Sequence, residues 1–148
     1  MGAISTSRRK EVRCVSVRQP WAELIARGIK TIETRTWPTH YRGRLAIAAS
    51  RRVDLGANAK RAAKRFLPTV DLWELGLGEL VAVATLRDVV RLQGTSAEVV
   101  AACSPCRGKW GWLLDDVQRV EPGIQIQGKL GLFTIRLPAN LSGLDRRR

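Results

Sequence analysis

Lys30, Glu33 and Arg35 put two cations and a carboxylate within six positions of a chain whose flanking residues are largely apolar. If Glu33 and Arg35 share one face of a strand, their Cβ atoms lie about 7 Å apart, from a rise of about 3.3 Å per residue. One ligand can then touch both. A carboxylate accepts from an exocyclic amine and a guanidinium donates to adjacent acceptors, so the pair has the chemistry to read a nucleobase edge. Trp21 or Trp37 can offer a face on which a base stacks. The same spacing also suits an internal Glu33–Arg35 ion pair that plugs a barrel mouth, and spacing alone leaves both readings open.

The elements that must hold these groups can be read from the hydrophobic pattern. Arg13 to Gln19 alternates, with Val15 and Val17 on one face, and predicts a strand. Pro20 suits a first helical turn, Trp21, Leu24 and Ile25 form an i, i+3, i+4 stripe, and Gly28 suits the left-handed position past the helix end. Lys30 then leaves that end, where a cation meets the negative pole of the helix dipole. Thr31 to Trp37 alternates again, which puts Glu33, Arg35 and Trp37 on one face. Arg44 to Ser50 predicts a further strand. Asp54 to Phe66 predicts a helix with Leu55, Ala59, Ala62, Ala63 and Phe66 inward and Lys60, Arg61, Lys64 and Arg65 outward.

Glu79 to Val90 is nearly continuous in apolar residues, the pattern of a strand buried on both faces. Thr95-Ser96-Ala97-Glu98 is a capping box that opens a short helix running to Cys103. Trp110, Trp112 and Leu114 alternate in another strand, and Gln125 to Leu137, broken at Gly128, supplies the last one or two. About six strands and three helices, without regular βα alternation, predict an α+β fold built on a small mixed β-barrel.

A chain of 148 residues fits one domain. Its ends, residues 1–12 and 139–148, read as flexible basic tails around a domain at 13–138. The net charge is +13, from 26 Lys+Arg against 13 Asp+Glu. Self-repulsion at that level opposes compaction and points to a polyanionic partner, with nucleic acid ahead of an anionic membrane surface. The longest apolar or Thr-bridged run, Leu80 to Leu86, is too short to cross a bilayer, and the first ten residues have no apolar core of a secretory signal. Three cysteines, an odd number, do not make a disulfide framework. A cytoplasmic monomer with no membrane association is the expectation.

Other features are weighed the same way. Lys60, Arg61, Lys64 and Arg65, preceded by Arg51 and Arg52, suit phosphate contact, although a charge run is also the pattern of a solvated face. Cys103-Ser104-Pro105-Cys106 leaves only Cys14 and His40 to complete a zinc site, so no metal is expected, and the two thiols are assigned to a loop. Arg42-Gly43-Arg44 is a basic turn, not a phosphate-binding loop, and no cofactor is expected. Most of the five tryptophans are assigned to the core, with Trp37 as the exception.

Gln19-Pro20-Trp21, Gly28-Ile29-Lys30-Thr31-Ile32-Glu33-Thr34-Arg35, Tyr41-Arg42-Gly43-Arg44-Leu45-Ala46-Ile47 and Ala49-Ser50 together resemble the ASCH (ASC-1 homology) domain. The hallmark of that family is a Gly-x-Lys-x-x-Glu-x-Arg run after a short helix. Trp110 to Leu114 and Gly128 to Phe133 resemble its closing strands, so the resemblance spans roughly residues 13–137. It implies a PUA-like β-barrel, a fold whose relatives bind RNA or modified bases, with the motif lining a cleft. By position, Lys30, Glu33 and Arg35 fall in that cleft, with Trp37 and Ser50 as walls. The expected nucleic-acid-binding set is Lys30, Glu33, Arg35, Trp37, Arg42, Ser50, Arg51, Arg52, Lys60, Arg61, Lys64 and Arg65, with RNA or single-stranded DNA as partner.

The resemblance also admits an enzyme acting on RNA or on a modified nucleoside such as N4-acetylcytidine, with Lys30 and Glu33 as catalytic residues. Two departures weigh against it. Glu33 stands where the amidohydrolases carry a threonine, and the available downstream acid, Glu98, is more simply a helix cap. The lone His40 and the lack of an acidic cluster beside the motif offer no strong acid–base pair for phosphodiester cleavage. A protein-interaction adaptor is the third reading.

Overall fold

The computed structural model describes residues 10–138 and 141. Six strands form one mixed sheet: β1 (Glu11–Gln19), β2 (Ile32–Arg35), β3 (Gly43–Val53), β4 (Glu79–Arg91), β5 (Trp110–Gln125) and β6 (Leu132–Arg136). Three helices accompany it, α1 (Trp21–Ala26), α2 (Ala57–Phe66) and α3 (Ser96–Ala102), with a 3-10 turn at Leu72–Glu74. The spatial order is β2-β5-β4-β3-β1-β6. β1 and β3 run parallel, and every other neighbouring pair is antiparallel. β1 starts at Glu11, two residues ahead of the expected domain boundary.

The β4–β5 ladder carries three register shifts, between Leu80 and Ala82, Val83 and Thr85, and Leu86 and Asp88. Such bulges bend strands and raise their twist. The sheet curls accordingly, but its hydrogen-bonded ladder is not continuous around the circumference, so the expected barrel is an approximation. At the open seam, edge strand β2 is linked to β1 by a side chain instead: Arg35 Nη2 donates to the Ser16 carbonyl at 2.6 Å.

Each face of the curl has its own core. Val15, Val17, Leu45, Ile47, Ala84, Leu86, Trp112 and Leu114 pack with Ala22, Ile25 and Ala26 of α1. Val12, Cys14, Ala46, Ala48, Leu80, Val83 and Phe133 pack on the opposite side. β4 therefore contributes to both, as its unbroken apolar run requires, and Leu80 to Leu86 are buried throughout. α2 lies on α1 through Ala62, Leu24 and Leu67, while Ile32, Leu92, Ala102 and Cys106 seat α3. Leu55, expected inward, precedes α2 and is exposed. Among the described residues no helix is long and apolar enough to cross a membrane.

Candidate functional site

α1 and the turn after it place Lys30. Gly28 takes φ +73°, a conformation that glycine reaches at low cost, and the amides of Ile29 and Lys30 both donate to Leu24 O at 2.9 and 3.0 Å. The chain turns back beneath the helix, and the Lys30 side chain is only 2% exposed. Its Nζ donates to Ala102 O at 2.6 Å, lies 3.8 Å from Glu33 Oε1 and sits 5.0 Å from the centroid of the Trp21 ring. The ammonium does meet a helix C-terminus, but it is that of α3, not of α1 as expected. Burial pushes Lys30 below the usual lysine range, and the Glu33 carboxylate works against that shift.

Glu33 is as fully engaged. Oε1 accepts from Thr34 N at 3.2 Å, and Oε2 accepts from Arg35 Nε at 3.1 Å, with Arg35 Nη2 3.0 Å away. The internal ion pair foreseen as one alternative is thus present, and it stands in the wall of an open cavity. That cavity has a volume of about 1200 Å³, and Lys30, Glu33 and Arg35 all line it. Trp21 forms part of the wall, and its ring is fixed by Nε1 donating to Asp54 Oδ2 at 2.9 Å. The indole hydrogen bond, followed by that of Gly56 N, holds the Asp54 carboxyl below the usual range.

Among the described residues, seven basic side chains line the cavity (Arg18, Lys30, Arg35, Arg51, Arg52, Lys109 and Lys129) against two acids, Glu33 and Asp54. Of the expected set, Lys30, Glu33, Arg35, Ser50, Arg51 and Arg52 come together here. Trp37 does not, because β2 ends at Arg35 and the alternation that would carry Trp37 onto the same face stops with it. Trp37 packs edge-on against Trp112 at 4.9 Å between centroids, and its carbonyl accepts from Trp112 Nε1 at 3.3 Å. Arg42 also lies elsewhere, bonded to Asp88 Oδ1 at 3.2 Å and to the Thr39 and Tyr41 carbonyls.

Lys60, Arg61, Lys64 and Arg65 are exposed on the outer face of α2 and do not line the cavity, although Asn58 of the same helix does. Arg61 is bonded to Asn58 Oδ1, and Arg65 lies over the Phe66 ring at 5.3 Å. Lys109 and Lys129, which arrive from loops, and the wall formed by residues 125–130 carry no local sequence signal of a site. Glu98 is occupied as a cap: its Oε1 accepts from the amides of Gln93, Gly94 and Thr95 at 3.0, 2.9 and 3.0 Å. Cys103 is half-buried and Cys106 buried, both as free thiols, and burial pushes both upward.

A small curled mixed sheet with a lysine–glutamate–arginine wall defines the class of domain, and comparison with known proteins names its family. The ASCH domain model matches residues 15–123, and the chain belongs to that family. The fold is similar to the crystal structure of ASCH from Zymomonas mobilis, with a TM-score of 0.53 at 16% identity, covering 89% of this chain and 92% of that one. A serine-to-alanine variant of the same protein gives 0.54 at 16% identity over 93% and 96%. Human Activating signal cointegrator 1 is 62% identical over 37 residues, which make up 25% of this chain and 6% of that protein. Its mouse counterpart is 60% identical over 37 residues, with the same shares. The matched stretch is thus a small part of these much longer relatives.

Proposed function

We propose that this ASCH domain binds single-stranded nucleic acid, RNA or DNA, with one base in the cavity and the backbone on the cations around it. The observation that carries this reading is the charge of the cavity lining, seven basic residues against two acids that are both committed to protein donors. An excess of this kind raises the local concentration of a polyanion and releases counterions on binding. Trp21 supplies a base-stacking surface. Arg51 and Arg52 extend the positive lining toward α2, whose outward cations serve as further phosphate contacts.

The reading with Lys30 as a catalytic residue has less support. Its Nζ already donates to Ala102 O at 2.6 Å, and Glu98 caps α3, so neither is poised as a free acid or base. A salt titration tests the binding reading. With about four phosphate contacts, log affinity for a single strand is expected to fall against log salt with a slope of about −3. A flat response, or no binding of oligonucleotides at low salt, overturns it.

A further inference from the structure

Within the nucleic-acid reading, we propose that the cavity floor selects bases with a carbonyl at the pyrimidine 4-position or purine 6-position (uracil, thymine, guanine) over those with an amine there (cytosine, adenine), and that Ser16 and Arg35 are the donors responsible. The inference rests on which hydrogen-bonding groups remain open. Both carboxylates of the lining are engaged by protein donors. Glu33 accepts from Thr34 N and Arg35 Nε, with the Lys30 ammonium 3.8 Å away as an ion pair, and Asp54 accepts from Trp21 Nε1 at 2.9 Å and Gly56 N at 2.8 Å. Each of the four carboxylate oxygens already accepts one protein hydrogen bond, so the unmet bonds of the lining lie with its donors.

The donors are in the opposite condition. Arg35 commits Nε and Nη2 to Glu33 and to the Ser16 carbonyl, while Nη1 has no partner among the described residues. Ser16 Oγ is shielded from solvent and is the one buried side-chain polar atom among the described residues without a hydrogen-bond partner. Buried hydroxyls are almost always paired, so an unpaired one needs a reason. Because the Ser16 carbonyl already holds Arg35, the free hydroxyl and the free guanidinium nitrogen belong to directly linked groups. Two such donors can fill the two lone pairs of a single carbonyl oxygen such as uracil O4, while an amine at that position would meet them donor to donor.

Access to Ser16 depends on Gly128. A Cβ at that position would lie 3.0 Å from Ser16 Oγ, so the glycine backbone rests directly over the hydroxyl. Residues 127–131 form no helix or strand, and Leu130 is fully exposed. A segment with so few packed contacts yields at low cost, and a small outward shift gives an incoming base the hydroxyl.

Uracil and cytosine differ on the relevant edge by a carbonyl against an amine, which makes them the clean comparison. The full chain would be titrated with oligouridine and oligocytidine of equal length, at one salt concentration, by fluorescence anisotropy. Oligouridine is expected to bind about tenfold tighter. In Ser16→Ala, with its fold checked by circular dichroism, the ratio is expected to fall toward one while the salt slope is kept. Equal wild-type affinities, as simple phosphate capture by Arg35 and Ser16 would give, or a preference for oligocytidine, overturn the selectivity and leave the nucleic-acid reading standing. Equal loss of both ligands in Ser16→Ala overturns the role of Ser16. Failure of both oligonucleotides to bind wild type overturns both readings together.

Discussion

Trp21 is held at its edge by Asp54 and on its ring by the Lys30 ammonium, so the indole is fixed before any ligand arrives. A fixed aromatic surface loses little entropy when a base stacks on it. Trp21→Ala is therefore expected to weaken oligonucleotide binding by about 1–3 kcal/mol, measured by anisotropy titration. Trp37→Phe, which alters a ring packed against Trp112, is expected to leave binding unchanged. At this scale the sequence was informative about residue types and less so about partners. Lys30, Glu33 and Arg35 were legible as a cluster from their spacing alone. The Glu33–Arg35 ion pair was one of two readings the spacing left open. The anchoring of Lys30 on Ala102 O and of Arg35 on Ser16 O was not legible, because those carbonyls in α3 and β1 are distant in sequence.

At the scale of elements, α3 is the part that bears most directly on the site. The Thr95–Glu98 capping box starts it, and Ala102 at its end receives the Lys30 ammonium. Thr31 N also donates to Ala101 O at 2.8 Å, which ties the start of β2 to the same turn. Removal of the cap by Thr95→Ala is expected to cost about 1 kcal/mol, measured as a shift in the urea midpoint with unchanged slope. This helix was legible because the box is a local signal. The full length of β5 was not, because the alternation that announces it stops at Leu114. In the fold, Asp116 takes φ +48° within the strand, and β5 continues to Gln125 opposite β4. The curl made by these irregularities is a property of two long strands together, and neither strand announces it separately.

Over the whole molecule, the six strands and three helices follow from apolar periodicity, whereas closure of the curl rests on an Arg35 side chain that periodicity does not describe. The same two-sided core fixes how the fold responds to alkali. Cys14 is fully buried between β3 and β6, and desolvation pushes its thiol up to about 12, with hydrogen bonds involving the Ala48 and Val15 backbone opposing the rise. The unfolded thiol ionises lower, near 9. The folded chain thus keeps a proton that the unfolded chain loses. The contribution is complete below the unfolded value and is lost as pH rises from there toward about 12. Wild type is expected to lose about 1.4 kcal/mol per pH unit more than Cys14→Ala across that window, read from urea titrations at successive pH values. Parallel curves for the two proteins would contradict it.

Antiparallel pairing of Glu11 with Arg136, extended by Leu137 N donating to Lys10 O at 2.9 Å, sets the two outermost strands of the chain side by side. Entry and exit therefore share a single doorway on one flank of the body. A domain with this arrangement can be spliced into a surface loop of a larger host without prying that host apart.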